Sequence, residues 1–165
     1  MNPLLNKEPV KRAERSIKQF DPNLKIICLE QTARTAQDAA TALGCNVGAI
    51  VKSLLFNAGD NYILCLISGD QRCSLNKLKK ILDKKNVSMA KPEDVKEITG
   101  YTIGGVSPVG HLKKIKIYID RSLERFTTVF AAAGHPNCVF KISFNQLTNI
   151  TTGEIKELTE WDNQN

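Results

Sequence analysis

The sequence has no apolar run that approaches the roughly 20 residues needed to span a bilayer. Its first stretch, MNPLLNKEPVKRAERS, has neither an apolar h-region nor a small-residue cleavage site. These absences argue against membrane insertion and secretion. The expected compartment is therefore the cytoplasm, with no membrane partner.

Residues that bind metals or form disulfides are also scarce or badly spaced. The five cysteines are odd in number and show no C-x-x-C spacing, and the two histidines lie far apart in the sequence. Most of the cysteines lie in or beside apolar segments, where a reduced thiol behaves as a small hydrophobe. We expect reduced structural thiols, no metal and no cofactor.

Acidic residues are fewer than basic ones, 17 against 23, and the formal net charge is +6. Lysines concentrate in NKLKKILDKKN, which contains Lys79, Lys80 and Lys84, and again in HLKKIKI. Such clusters favour a polyanionic partner such as a nucleic acid. A solvated lysine-rich surface explains them equally well, so charge alone does not decide.

The 165 residues are expected to form one domain (1–165), with a core over about 25–152. Apolar periodicity predicts an amphipathic helix over about 9–20, and 153–165 reads as a polar tail of uncertain order. Between these segments the elements alternate irregularly, without the strict βαβα order of a doubly wound fold. The prediction is a mixed α/β domain around one largely antiparallel sheet.

Caps and turns divide the middle of the chain. Thr35 and Ser74 are candidate N-caps, Pro92 suits the first turn of a helix, and Gly44 and Gly100 suit helix ends. The runs AIVKSLLF and YILCLIS flank NAGDN as a β-hairpin would. Further strands are predicted in KIICLE, KIKIYID, TTVFAAA and CVFKISF, and a short closing helix in NQLTNI.

Lys52 is unusual because it interrupts the apolar strand GAIVKSLLF. A lysine is rarely buried unless it is paired or functional, so this side chain is a candidate site residue facing a cleft. The alternative is an edge-strand lysine that discourages aggregation.

The segment GYTIGGVSPVGH places four glycines and a proline within twelve residues. It is not a P-loop, because no Gly-Lys-Ser/Thr follows, and it does not match the dinucleotide-binding pattern. Glycine allows positive φ and close approach of the backbone, so this loop could present main-chain groups to a ligand or a developing oxyanion. A purely structural loop is the alternative.

Taken together, IVKSLLF, GYTIGGVSPVGH and FAAAGHPNCVFKISFNQLTNIT resemble the YbaK/ProX family of aminoacyl-tRNA editing domains. The resemblance runs from about Thr35 to Thr152. It implies a compact, barrel-like mixed α/β fold. It also implies a free-standing hydrolase that acts in trans on mischarged tRNA, with tRNA(Pro) the expected tRNA and prolyl-tRNA synthetase a candidate partner.

Carried over by this resemblance, Lys52 matches the family lysine that engages the 3′-terminal adenosine, and Ser53 lies where small hydroxyl residues line the pocket. Gly104 and Pro108 match the ends of the family's Gly-x-x-x-Pro loop, with Gly105, Val106 and Ser107 between them. Gly134 and His135, in the GHPN turn, are weaker candidates for substrate binding, and Lys79, Lys80 and Lys84 for tRNA binding.

The expected reaction needs no side-chain nucleophile, because an aminoacyl ester is already activated. The GHPN turn resembles alanine-type members, whereas GGVSPVGH and FAAAG resemble members acting on slightly larger residues, so cysteine, alanine and 2-aminobutyrate all stay open. Two other readings also stay open: a non-catalytic tRNA- or synthetase-binding module, and a nucleotide or phosphate binder.

Overall fold

The computed structural model describes residues 2–31 and 33–160. Five α-helices and eight β-strands are present in these ranges. The helices are α1 (Glu8–Phe20), α2 (Ala36–Leu43), α3 (Leu75–Leu82), α4 (Pro92–Thr99) and α5 (Phe144–Thr151). The strands are β1 (Ile26–Cys28), β2 (Val51–Asn57), β3 (Tyr62–Ser68), β4 (Ser88–Met89), β5 (Lys116–Asp120), β6 (Thr128–His135), β7 (Cys138–Ser143) and β8 (Glu154–Lys156).

The predicted helix ends are confirmed by their capping geometry. Thr35 Oγ1 accepts from the Asp38 amide at 3.1 Å, and Ser74 Oγ accepts from the Lys77 amide at 3.3 Å. Pro92 begins α4, and Gly100 ends it in the left-handed conformation at φ 79°. Local chemistry therefore sets these boundaries.

The strands form two sheets, so the expectation of one sheet is wrong. The smaller has the order β1-β7-β6 and is antiparallel; the larger has the order β4-β2-β3-β5-β8, with parallel pairs β3–β5 and β5–β8. A single parallel bridge, Ile50 to Phe130, joins them among the described residues. The sheets do not close on each other, so the barrel-like arrangement is not confirmed, whereas the mixed α/β class is.

The largest apolar cluster lies between the two sheets and under α1. Val10, Ala13 and Ile17 of α1 are at most 1% exposed and contact this cluster. The opposite face of the larger sheet is covered by α3 through Leu78. A third cluster, around Ala39 and Ala40 of α2, packs where the sheets meet, and this is where the cavity described below opens.

The segment expected as a polar tail contributes to the larger sheet. Residues Glu154–Lys156 form β8, and Leu158 is fully buried. Asp120 fixes this segment, because its carboxylate accepts from the Leu158 amide at 2.7 Å and from Thr159 Oγ1 at 3.2 Å. Positions 161–165 of the expected tail lie outside the described residues.

In the described ranges, no helix is both long and apolar enough to cross a membrane.

Candidate active site

A cavity of about 650 Å³ opens where the two sheets meet. Its walls come from the start of α2, the start of β2, strands β6 and β7, and the glycine-rich loop between α4 and β5. The lining residues are Ala33, Arg34, Thr35, Ala36, Gln37, Ala39, Val47, Ile50, Val51, Lys52, Ser53, Leu54, Gly69, Ile103, Gly104, Val106, Phe130, Ala132, Pro136 and Val139. The volume is typical of a small-molecule site, and most of the lining is apolar.

Lys52 lies at this cavity because of how β2 is paired. Strand β4 pairs only with Phe56 and Asn57, so in the described residues the Lys52 end of β2 pairs with β3 alone. The side chain is half-buried, and Nζ donates a hydrogen bond to the Gln71 carbonyl. Burial lowers the pKa of Lys52, the nearby Arg72 charge lowers it further, and Asp70 opposes the shift.

Ser53 is next to Lys52 and also lines the cavity. Its Oγ is buried and has no hydrogen-bond partner in the described part of the chain. A buried hydroxyl without a partner carries a desolvation cost, and such groups are often explained by a ligand or by water. The oxygen itself is shielded, so a bound molecule can supply the missing partner only if the surrounding side chains move.

The glycine-rich loop reaches the cavity through its middle. Gly104, at φ 91°, and Val106 line the wall, together with Ile103, which is 60% exposed. Gly105 lies behind them: its amide donates to the Thr102 carbonyl at 2.9 Å, and its carbonyl accepts from the Gly134 amide at 3.0 Å.

Ser107 and Pro108 are buried and are not among the lining residues. Ser107 is fully buried, and its Oγ accepts from the Val109 amide at 3.3 Å. Its carbonyl lies 2.7 Å from Nε2 of His111. The structure thus brings part of the expected loop to the cavity and uses the rest as support.

The GHPN turn borders the same wall. Gly134 contacts the loop through Gly105, and Pro136 lines the cavity, whereas His135 is not among the lining residues. Nδ1 of His135 accepts from the Asn137 amide at 3.0 Å, which fixes the ring within the turn. Burial, followed by the Lys7 charge, lowers the pKa of His135.

Three lysines proposed to contact tRNA lie away from the cavity wall. Lys79 and Lys80 are in the last turn of α3, and Lys84 follows that helix. Nζ of Lys84 is 3.4 Å from Asp60 in an exposed ion pair. None of the three lines the cavity.

Several wall residues were not predicted from sequence. Arg34 and Gln37 are exposed residues at the start of α2, and Ile103 and Pro136 flank predicted glycines. Arg34 and Gln37 lie beside the predicted N-cap Thr35, but nothing local shows that this helix end faces β2. A large apolar residue next to Gly104 in an otherwise polar turn was the available signal for Ile103.

The described residues that line the cavity include no histidine, cysteine, aspartate or glutamate. The wall therefore offers the cationic side chains of Lys52 and Arg34, the Gln37 amide, hydroxyls and main-chain groups, but no carboxylate or imidazole base and no thiol nucleophile. Such a site binds, orients and polarises its ligand, and suits a reaction whose substrate is already activated.

The fold is thus a small mixed α/β domain with a cavity where its two sheets meet. The chain belongs to the aminoacyl-tRNA editing domain family, whose model matches residues 30–150. This confirms the resemblance to YbaK/ProX-type editing domains.

A solved structure and two relatives show the same affiliation. A crystal structure of a proposed trans-editing enzyme for prolyl-tRNA synthetase superposes with a TM-score of 0.89 at 35% identity, covering 94% of this chain and 99% of that one. A proposed Cys-tRNA(Pro)/Cys-tRNA(Cys) deacylase, EbsC of Enterococcus faecalis, is 28% identical over 76% of this chain and 77% of its own length.

The second relative is the proline–tRNA ligase of Thermosipho melanesiensis. It is 36% identical over 55% of this chain, but the match covers only 16% of that protein. The likeness is thus to one part of a much larger enzyme.

Proposed function

We propose that this chain hydrolyses the ester bond between a small, wrongly attached amino acid and tRNA, acting in trans, with tRNA(Pro) as the first tRNA to test. The observation that carries the proposal is that the candidate site residues meet at one cavity. Lys52, Ser53, Gly104 and Val106 line one cavity, although about fifty residues separate the first two from the last two in sequence. Family membership and the proposed deacylase and trans-editing relatives support it.

In this proposal the cavity holds the amino acid together with the terminal nucleoside. Its volume of about 650 Å³ is larger than a small amino acid requires. Phe130, Ala132 and Val139 offer apolar surface to the amino-acid side chain. Lys52 engages the 3′-terminal adenosine, and Ser53 offers a hydroxyl to the polar part of the substrate.

The chemical step is addition of an oxygen nucleophile to the ester carbonyl. Water attacks the carbonyl carbon, the bond to the ribose oxygen breaks, and that oxygen leaves as the tRNA hydroxyl after taking a proton. Because the lining provides no carboxylate or imidazole to activate a side-chain hydroxyl, water or a group of the substrate itself supplies the nucleophile. For a cysteinyl ester, the substrate thiol attacks the carbonyl carbon in place of water, and the ribose oxygen leaves as the tRNA hydroxyl with the thiol proton. Water then hydrolyses the resulting cyclic thioester to free cysteine. The loop backbone beside Gly104 and Val106 holds the ester and stabilises the developing oxyanion.

The test is single-turnover deacylation of Cys-, Ala- and 2-aminobutyryl-tRNA(Pro), with correctly charged Pro-tRNA(Pro) as the reference. Lys52→Ala should lower the rate about 10²- to 10³-fold. Lys141→Ala, which removes an exposed lysine from β7, is the matched control and should be neutral.

Wild-type protein that binds these tRNAs but hydrolyses none of them would favour a non-catalytic tRNA-binding module. Salt-insensitive binding would point to delivery by a synthetase or to a small-molecule ligand.

A further inference from the structure

Arg12, on helix α1, reaches both ends of the glycine-rich loop. Its Nε donates to the Gly110 carbonyl at 2.7 Å, and Nη2 donates to the Thr99 carbonyl at 3.4 Å. Thr99 ends α4 and Gly110 lies eleven residues later, so one guanidinium closes the loop at its base.

Tyr101 fills the space inside this closed loop. The side chain is fully buried, and its hydroxyl donates to the Val109 carbonyl at 2.8 Å. The Arg12 guanidinium carbon lies 4.5 Å from the centre of the Tyr101 ring, a cation–π distance. The His111 ring meets the Tyr101 ring edge-on, with centroids 6.1 Å apart.

Two of the loop's four glycines leave room for these side chains. A Cβ at Gly100 would overlap the Arg12 guanidinium, and a Cβ at Gly110 would lie 2.5 Å from the Tyr101 hydroxyl. Both residues also have positive φ, of 79° and 78°. They therefore serve the contact with Arg12 and Tyr101, not the cavity.

Helix α1 also approaches the turn that holds the middle of the loop. A Cβ at Gly134 would be 2.6 Å from the carbonyl carbon of Pro9 and 2.8 Å from the Val10 nitrogen. Gly134 in turn donates to the Gly105 carbonyl, directly behind the cavity wall. The helix thus fixes both the base of the loop and the support of its middle.

We propose that Arg12 is a positioning residue, which sets the orientation of the Gly104–Val106 backbone toward the substrate without touching it. Arg12 precedes residues 30–150, the stretch that the family model matches. The expected effect of Arg12 on the deacylation rate rests on the proposed function, whereas its expected effect on the order of the loop does not.

Arginine suits this role because its planar group offers several donors in a fixed fork. A lysine has one rotatable ammonium and cannot reproduce two separated contacts together with stacking on a ring. Arg12→Lys keeps the charge and removes this geometry, and Arg12→Ala removes both. Arg15→Ala is the matched control, because Arg15 is on the same helix and its exposed partner is Glu8.

The experiment measures single-turnover deacylation over a range of tRNA concentrations, together with amide hydrogen exchange. We expect both Arg12 variants to lower the saturating rate about 10²-fold, as small misplacements of catalytic groups do, with little change in apparent KM. Exchange at the Gly105 and Gly134 amides should accelerate about tenfold. Guanidinium ion should partly restore Arg12→Ala, unlike sodium chloride at equal ionic strength, and Arg15→Ala should match wild type.

Other outcomes overturn the proposal. A raised KM with an unchanged saturating rate would make Arg12 a tRNA contact. Unchanged rates, or a rate loss without faster exchange at Gly105 and Gly134, would remove its role in positioning. If the wild type deacylates no substrate, the proposed function fails, and the exchange data alone then decide whether Arg12 holds the loop.

Discussion

Arg125 and Asp70 form a two-point ion pair, with Nη1 3.0 Å from Oδ2 and Nη2 2.7 Å from Oδ1. The Arg125 hydrogen bonds, opposed by burial, hold the pKa of Asp70 below its ordinary value. Asp70 precedes Gln71, whose carbonyl accepts from Lys52. The pair therefore connects the 3₁₀ turn at Arg121–Arg125 to the loop that orients the candidate catalytic lysine.

Arg125→Gln should destabilise the protein by about 1–2 kcal/mol, because the partly shielded two-point pair is lost together with the Arg125 hydrogen bonds to the Ser122 carbonyl and Ser68 Oγ. Urea unfolding measures this change. Arg121→Gln is the matched control on the same turn: its contact with Glu157 is 3.8 Å long and exposed, so it should cost less than about 0.5 kcal/mol. Equal effects of the two substitutions would contradict the role given to the Arg125–Asp70 pair.

Ser53→Ala should raise stability while lowering activity. Removing a buried hydroxyl that has no partner relieves a desolvation cost, so we expect a gain of up to about 1 kcal/mol in the free energy of unfolding. If the hydroxyl contacts substrate, kcat/KM should fall about tenfold, the value of one hydrogen bond.

Ser68→Ala is the control for the Ser53 substitution. Ser68 is also buried, but its Oγ donates to the Gly48 carbonyl and accepts from Arg125 at 2.8 Å. This substitution should therefore lower stability. A Ser53→Ala protein that is less stable than wild type would show that the hydroxyl has a structural partner.

Much of the local structure could be predicted because its causes are local. Thr35, Ser74 and Pro92 define helix starts through their own hydrogen bonds or fixed φ, and the β2–β3 hairpin follows from NAGDN. The parallel pairing of β8 with β5 could not be predicted, because its contacts join segments more than thirty residues apart.

Part of the site could be predicted, again because some of its residues stand out in the local sequence. Lys52 is unusual within an apolar strand, and the loop is unusual for its four glycines. Arg34 and Pro136 line the cavity only because the tertiary fold brings the two sheets together. Of the loop's four glycines, Gly104 and Gly105 were expected to present backbone to a ligand, and Gly100 was expected to end a helix. Gly100 ends α4, but Gly100 and Gly110 also accommodate Arg12 and Tyr101, because the loop is packed against a helix nearly ninety residues earlier.

Reversing the charge of Lys79, Lys80 and Lys84 to glutamate should weaken tRNA binding without changing the chemical step. These lysines lie away from the cavity, so their effect is electrostatic. We expect a higher apparent KM, a shallower dependence of affinity on salt and an unchanged saturating single-turnover rate. A large drop in the saturating rate would instead place α3 near the reacting groups.

Stability should fall as the pH drops below about 6.5, partly through His111. Burial, assisted by the Arg12 charge, lowers the pKa of His111 below its ordinary value of 6.5, and the hydrogen bond with the Ser107 carbonyl opposes this shift. Because the unfolded chain then binds the proton at a higher pH than the folded chain, acid favours unfolding, by at most about 1.4 kcal/mol at pH 5.5. No change from this group is expected above pH 7.5.

His111→Gln should reduce this pH dependence, because the amide can still donate to the Ser107 carbonyl but does not titrate. Urea unfolding at pH 5.5 and 7.5 measures the difference. His135 is the other histidine in the chain, and its pKa is also lowered, so His135→Gln is the comparison. If the stability of His111→Gln depends on pH as that of the wild type does, the pKa of His111 does not differ between the folded and unfolded protein.

Within the glycine-rich loop, adding a side chain should be more harmful than removing one. A Cβ at Gly105 would lie 2.9 Å from the His135 nitrogen and 3.0 Å from the Gly134 carbonyl carbon, so Gly105→Val must displace the loop from its supporting turn. Gly104→Val must adopt φ near 91°, which a β-branched residue rarely does. Both variants should lose deacylation at least about 10²-fold.

Ser107→Ala is the matched change at a buried position that does not line the cavity. It removes the 3.3 Å contact with the Val109 amide and should cost about 1 kcal/mol of stability, yet retain most of the activity. Thermal melting and single-turnover deacylation are needed for each variant. A folded but inactive Ser107→Ala protein would make the serine hydroxyl a direct participant and contradict a site built from main-chain groups.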